Sequence, residues 1–508
     1  MTSDAINKVI IAGGGTAGWM TAAALARFLP KTVTICLVES EAIGTVGVGE
    51  ATIPPLTDFN DMLGIDEDTF LKAVGGSFKL GIEFSDWGQL GESYFHPFSA
   101  FGYDIDGISF HQLWLALNRN GDARPLDEFT IAKHAAHNAR FMRSPTTDSR
   151  SPLSQLRHAY HIDAGRYAQF LRQYAEARGV QRVEGTIEHV NLAATNGYIE
   201  SLTLNDERTL EGQLFIDCTG FRALLIGDAL KCGFRDWSHW LPCDRALAVP
   251  TQSSPTFVPY TSARAHSAGW QWRIPLQHRT GNGCVYASEW MSDDVAHREL
   301  TSHLETPATD DVRALRFTTG QRDRFWKRNC VAIGLSSGFL EPLESTSIHL
   351  IQESISKLIG LFPNQSFDSV ERDRYNDMLG TLYSYVRDFI ILHYNATQRD
   401  DSEFWNHVRT MQLPDSLAAH IDLFQRNGRF FSHRADLFTL TSWAAVFIGQ
   451  NVLPAGEDPL IAGVPDGAIK AALDDMQNVY KDAASRMSTH QAFVEKFCAS
   501  EDRAWATS

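Results

Sequence analysis

Two stretches of this chain carry residues whose types and spacing could do chemistry. Gly13-Gly14-Gly15-Thr16-Ala17-Gly18 is a glycine-rich turn. Gly334-Leu335-Ser336-Ser337-Gly338-Phe339-Leu340-Glu341-Pro342-Leu343-Glu344-Ser345-Thr346-Ser347 joins a later glycine turn to two carboxylates and a run of hydroxyls. Glycines let the backbone approach a pyrophosphate, and a helix start faces its charge. In the second stretch the carboxylate of Glu344 can aim a reagent or a substrate. The helix start at Thr346 and Ser347 can bind a small anion through its N–H groups. A third candidate is Lys79, in a segment where Phe78, Leu80, Ile82 and Phe84 alternate with Ser77, Lys79, Gly81 and Glu83. That is strand period, and a lysine on the second face of a strand is ordinarily solvated.

These residues need elements to hold them. Residues 8–12 read as a buried strand, Thr16 to Phe28 as a helix, and Val33 to Val38 as a second buried strand ending at Glu39. Strand, glycine turn, helix, strand and acid together form a dinucleotide-binding unit, with Glu39 accepting from a ribose hydroxyl. A helix is expected from Ala164 to Gly179, followed by one strand through Val183 and Ile187. Leu214-Phe215-Ile216-Asp217 reads as a strand closed by a Thr219-Gly220 turn, and Val331-Ala332-Ile333-Gly334 as another. Three nucleotide-side elements spread over more than half the chain suit FAD better than a compact NAD site. The helix after Glu344 carries Ile348, Ile351, Ile355 and Ile359 on one face, and Glu344 would at least complement its dipole. From Ser369 the pattern turns helical, with Tyr375, Met378, Leu379, Leu382, Val386, Phe389, Ile390 and His393 at helical spacing. Loops near 145–154 and 250–264 mark insert boundaries.

Composition excludes several classes. A chain of 508 residues suggests two or three lobes, and 44% hydrophobic with 21% charged residues is ordinary for a globular protein. A net charge of −16 argues against nucleic acid or anionic lipid as a partner. The seven cysteines, Cys36, Cys218, Cys232, Cys243, Cys284, Cys330 and Cys498, form no Cys-x-x-Cys pair, so no metal is expected and a reducing compartment is. Neither a signal peptide nor an 18-residue apolar run is visible, so a cytoplasmic enzyme is expected.

Gly13-x-Gly15-x-x-Gly18, Gly47-Val48-Gly49-Glu50-Ala51-Thr52-Ile53-Pro54, Lys79, Trp270-x-Trp272-x-Ile274-Pro275 and Glu344-Ser345-Thr346 occur in that order. In this the chain resembles the flavin-dependent tryptophan halogenase family over nearly its whole length. The resemblance implies an α/β fold: a Rossmann-like FAD-binding domain of the glutathione-reductase type over 1–368, with a substrate-side insertion about 80–160, and a mostly helical substrate domain over 369–508. It implies FAD used as FADH2, a separate flavin reductase to supply it, and a small aromatic substrate; a homodimer is compatible with it. Reduced FAD, O2 and chloride or bromide would give hypohalous acid, which passes to Lys79 and halogenates the substrate. The rival enzyme reading is a flavin-dependent aromatic hydroxylase, which would not need Lys79.

Carried over residue by residue, the resemblance makes Lys79 and Glu344 catalytic and Thr346 and Ser347 halide-binding. The family usually has glycine where this chain has Ser347, a change that spares backbone donors. Gly13, Gly15, Thr16, Ala17, Gly18, Glu39, Gly49, Ala51, Ile187, Gly334, Leu335 and Ile348 fall to FAD. Trp270 and Trp272 become a wall between flavin and substrate, although two indoles on one strand face also simply pack well. His96 and Phe98 match substrate contacts. The Tyr-Tyr pair and Glu that hold the charged ends of tryptophan in the family are not apparent; Ser442-Trp443 and Phe447-Ile448-Gly449-Gln450 occupy that region. Indole or an indole derivative is therefore the expected substrate.

Overall fold

The structure, a computed structural model, describes residues 4–42, 49–254, 256–431 and 437–503. Gly47 and Val48 of the second glycine motif lie outside them. The chain divides into two compact units, each assembled from three separated segments. The first comprises Met1–Gly75, Ile162–Pro242 and Arg316–Tyr385; the second comprises Gly76–His161, Cys243–Leu315 and Val386–Ser508. The units thus interleave along the chain instead of parting at 368/369. The stretch expected as an insertion, about 80–160, falls within Gly76–His161 of the second unit.

The first unit is built on a six-stranded sheet. Its order is Trp326–Lys327, Cys330–Ala332, Leu214–Asp217, Lys8–Ala12, Thr34–Glu39 and Gln181–Glu184. All pairs are parallel except the terminal hairpin of Trp326–Lys327 with Cys330–Ala332. Val9, Ile10, Ile11 and Ala12 are fully buried, as are Leu214, Phe215 and Ile216. Strands covered on both faces are what continuous apolar runs encode. The helix Thr16–Phe28 follows the first strand and buries Gly18 through Leu25. The expected single strand through Val183 and Ile187 is two: Gln181–Glu184 closes the parallel sheet, while Ile187–Leu192 opens a separate antiparallel sheet with Ile199–Leu204 and Thr209–Glu211. Gly185 and Thr186 break the run, because Gly185 donates to the Glu39 carbonyl and Thr186 to Asn205.

The second unit holds a seven-stranded sheet in the order Arg313–Arg316, Arg245–Thr251, Thr280–Tyr286, Gly269–Pro275, Thr261–His266, Gly81–Ser85 and Ser93–Pro97. So Thr261–His266 is a strand within a stretch expected as loop. Ser77–Lys79 and Gly81–Ser85 are likewise not one strand. Ser77–Lys79 pairs antiparallel with Ala159–Asp163, and Gly81–Ser85 joins the large sheet. Leu80 is the point of exchange: its N–H donates to the Pro259 carbonyl, and its own carbonyl accepts from Phe98 N–H. The C-terminal stretch is helical as expected, with Glu403–Thr410, Asp415–Asn427, Leu440–Gly449, Asp466–Ser485 and His490–Phe497. Buried donors tie this stretch to the rest of the unit. Trp405 Nε1 donates to the His266 carbonyl at 2.8 Å, and Thr397 Oγ1 to that of Trp87 at 2.6 Å.

Candidate active site

In the first unit the glycine turn is shaped by contacts that admit no side chain. Gly13 has φ +106°, and a Cβ there would lie 2.3 Å from the Cys218 carbonyl oxygen. A Cβ on Gly18 would lie 1.9 Å from the Gly13 carbonyl, and one on Gly14 would overlap the Glu39 carboxylate. Gly15 differs: nothing lies within 4 Å of its would-be Cβ. Backbone drawn tight on three sides and open on the fourth, at the start of a thirteen-residue helix, is a cradle that suits a dinucleotide pyrophosphate. Thr16 Oγ1 donates to the Ala164 carbonyl at 3.4 Å, which ties the turn to the next helix. Ala17 packs against the later turn, since a Cβ on Gly334 (φ +78°) would meet the Ala17 methyl at 2.7 Å.

Glu39 ends its strand as expected, and it is already engaged. Oε1 accepts from Arg182 Nε at 2.6 Å and Oε2 from Trp19 Nε1 at 3.3 Å. Its orientation is therefore fixed before any ribose arrives. Gly49 and Ala51 are buried in the strand Gly49–Ala51. Leu335 is half-buried in the turn Gly334–Ser336, and Ile348 is buried in the following helix. Ile187 packs partly buried against the core beside the parallel sheet.

The turn from Gly334 to Ser347 is braced from below. Ser337 Oγ and the Tyr383 hydroxyl are 2.8 Å apart, and Ser336 Oγ donates to the Asp217 carbonyl. The Asp217 carboxylate in turn takes N–H groups from Thr219, Leu225 and Ile226 and the Thr219 hydroxyl. Glu344 closes the tight turn Pro342–Glu344 and is 1% exposed. Ser345 reverses the chain at φ +60°. The helix Ser347–Gly360 then begins, so Glu344 precedes the first helical turn instead of lying in it. Thr346 is fully buried, gives its helix no side-chain cap, and its Oγ1 has no hydrogen-bond partner. The first-turn N–H groups have no acceptor within the helix. A buried hydroxyl without a partner at a helix start, beside half-buried Ser347, is a setting that suits a small anion. His349, also in that turn, is held neutral, because burial lowers its pKa to about 4.

In the second unit Lys79 ends the strand Ser77–Lys79 with none of its surface exposed. This overturns the solvated placement that strand period suggests: both faces of so short a strand are covered. Lys79 Nζ stands 5.1 Å from the ring centroid of half-buried Phe98, a cation–π contact. His96 is 3% exposed and meets the Phe389 ring edge-on at 6.0 Å. Trp270 and Trp272 lie two apart on the strand Gly269–Pro275 with ring centroids 5.9 Å apart. The second indole lies over Gly283 of the neighbouring strand, where any Cβ would meet it at 2.0 Å. Trp272 Nε1 is buried with no acceptor.

Sequence reasoning missed the side chains that hold Lys79. Ser77, on the same strand face two residues earlier, donates Oγ to the Pro275 carbonyl at 2.7 Å, the end of the Trp-x-Trp-x-Ile-Pro strand. Its hydroxyl oxygen then accepts from His161 Nδ1 at 3.0 Å, which leaves His161 Nε2 to accept from Thr261 Oγ1 at 2.9 Å. Burial, helped by the charge of Lys79, holds His161 well below the ordinary histidine range. Phe78 N–H donates to His490 Nε2 at 3.2 Å, and His490 Nδ1 to the Phe257 carbonyl at 3.0 Å. Burial takes His490 down to about 3. Histidines 84 and 412 residues from their partners leave no local signature.

A family model described as tryptophan halogenase matches residues 8–466. Tryptophan 6-halogenase SttH of Streptomyces toxytricini is 36% identical over 438 residues, 82% of this chain and 83% of the relative. Among solved structures, a flavin-dependent halogenase from Xanthomonas campestris superposes with a TM-score of 0.94 at 45% identity, covering 98% of this chain and 99% of that one. BrvH, a flavin-dependent halogenase from Brevundimonas sp. BAL3, gives 0.93 at 43%, covering 97% and 99%.

Proposed function

This chain belongs to the tryptophan halogenase family, and from that premise we propose that Lys79 and Glu344 are each catalytic in an FADH2-dependent halogenase acting on indole or an indole derivative. Reduced flavin, when bound, would activate O2, which supplies the oxidising equivalents that turn halide into hypohalous acid. The hydroxylase alternative drops out, because the matched family and its structural relatives are halogenases.

The observation that carries the reading is the complete burial of Lys79, with its Nζ over the Phe98 ring. An amine kept from water holds hypohalous acid by hydrogen bond, or takes halogen onto nitrogen, without losing it to solvent. Glu344, equally buried, supplies negative charge for the positive charge that develops on an aromatic ring under attack. Thr346 and Ser347 offer the donors for halide, and the unpaired Thr346 Oγ1 is the direct support for that role. Gly13, Gly15, Gly18, Glu39 and Gly334 form the FAD cradle, with Thr16, Ala17, Gly49, Ala51, Ile187, Leu335 and Ile348 lining it. His96 and Phe98 offer aromatic faces to a flat substrate, and Trp270 with Trp272 keep it from the flavin. A separate reductase supplies FADH2, and a reducing, cytoplasmic setting suits seven buried free cysteines. No helix among the described residues is long and apolar enough to cross a membrane.

A zwitterion entering a buried site must find partners for both charges or bear the desolvation of each. Indole needs only stacking and one N–H acceptor, so indole should outcompete tryptophan. The test supplies reduced FAD, O2, bromide or chloride and equal concentrations of indole and tryptophan, with products read by mass. Lys79→Ala should abolish halogenated product while FAD binding, followed by flavin fluorescence, stays at the wild-type level. Product from Lys79→Ala at near wild-type rate removes the lysine from the mechanism. Preferential conversion of tryptophan refutes the indole assignment.

A further inference from the structure

Three ligand-bearing side chains outside the residues discussed above converge in the second unit. His266 ends the strand Thr261–His266, Glu299 lies in the helix Asp293–Ser302, and His303 follows that helix. One ligand atom from each lies within 4.8 Å of the other two. Glu299 and His303 are four apart, which puts both on one helix face.

The remaining ring nitrogens are already engaged. His266 Nε2 is 3.1 Å from Gln271 Oε1. His303 Nδ1 is 2.9 Å from the Glu299 backbone carbonyl and 3.1 Å from Ser302 Oγ. An amide oxygen and a carbonyl only accept, so His266 Nε2 and His303 Nδ1 carry the protons. In the neutral ring the lone pair of His266 is on Nδ1, and Nδ1 faces Glu299 Oε2 at 3.0 Å. Atoms of these two kinds at that distance share a cation, a proton or a metal ion bound in its place.

We propose that His266, Glu299 and His303 form a site for a divalent transition-metal ion, Zn2+ being the one that two neutral imidazoles and a carboxylate suit best. Ligand bonds of about 2.0–2.2 Å to one tetrahedral ion put neighbouring donor atoms roughly 3.4 Å apart, close to the 3.0 Å between His266 Nδ1 and Glu299 Oε2. The hydrogen bonds from His266 to Gln271 and from His303 to the Glu299 carbonyl are the outer partners that fix tautomer and ring orientation in metal sites. His303 is exposed and Glu299 half-buried, so an ion has a way in and water can take the fourth position. The nearby Arg264 cation opposes the site and is itself paired with Asp86 at 3.4 Å. Gln271 stands between Trp270 and Trp272, so the ion would brace the strand that carries both indoles against the helix Asp293–Ser302.

The test uses the full chain, stripped with a chelator and titrated with Co2+ for its visible absorption and with Zn2+ for its effect on Tm. His303→Ala, at an exposed position, and the shape-conserving Glu299→Gln are titrated beside it. One equivalent of Co2+ should bind with tetrahedral bands, and Zn2+ should raise Tm. Each variant should weaken that binding by at least about tenfold and lose the Zn2+-dependent rise. Absence of one-equivalent binding in the wild type overturns the proposal, and so do variants that bind as tightly as it does.

Discussion

Ser77→Ala removes one oxygen atom and tests whether the buried network around Lys79 positions it. In the wild type that oxygen donates to the Pro275 carbonyl at 2.7 Å and accepts from His161 Nδ1 at 3.0 Å, and both Ser77 and His161 are fully buried. The substitution strands one N–H donor and takes one partner from a carbonyl. An unsatisfied buried polar group costs about 1–3 kcal/mol, and the carbonyl retains a second lone pair, so the loss of stability should be about 1–3 kcal/mol. Freed from Pro275, the three-residue strand Ser77–Lys79 can shift, and Lys79 shifts with it. A displacement near 1 Å costs about 100-fold in rate, so halogenation should fall by about 10- to 100-fold. Urea unfolding measures the first quantity and single-turnover halogenation with reduced FAD the second. FAD affinity, read by fluorescence, should hold, because Ser77 belongs to the second unit and the glycine turns to the first. Ser77→Thr keeps the hydroxyl and should recover most of both losses. Wild-type stability and rate in Ser77→Ala would refute the positioning role, and so would an alanine-like Ser77→Thr.

Glu344→Gln keeps shape and removes charge, and turnover should fall by roughly one to three orders of magnitude with FAD affinity unchanged; unchanged turnover leaves Glu344 as a turn residue only. Gly15→Ala meets open space at a φ of −73° that alanine tolerates, so the fold should keep its stability to within about 1 kcal/mol. FAD affinity should drop as the methyl enters the cradle, and equal affinity in a fluorescence titration would argue against it. His490 and His349 have folded pKa values of about 3 and about 4, below the unfolded value near 6.5. Their neutral forms therefore add stability that is complete above about pH 6.5 and is lost as pH falls toward the folded values. Unfolding free energy measured from pH 7.5 down to 5 should decline, and a flat profile contradicts the burial argument.

The flavin side of this protein was legible in its sequence because it is local. Strand, glycine turn, helix Thr16–Phe28 and strand Thr34–Glu39 follow within forty residues, and each is specified by its own run: apolar residues for buried strands, glycines where a Cβ would collide. The Trp-x-Trp-x-Ile-Pro and Glu344-Ser345-Thr346 runs were equally visible as runs. What tertiary structure alone decided is the setting of Lys79. Its alternating neighbours predict one strand with a wet face, yet the chain changes sheets at Leu80, because Pro259 and Phe98 take that backbone's hydrogen bonds. His161, Thr261 and His490 then close around the strand from positions that no periodicity connects to it. The grouping of His266 with Glu299 and His303 arises the same way, from a strand end meeting a helix end. A sequence encodes which surfaces are apolar and where backbone must turn. Which distant polar groups finally share a buried space depends on how those surfaces pack, and the charge on Lys79 acquires its setting only there.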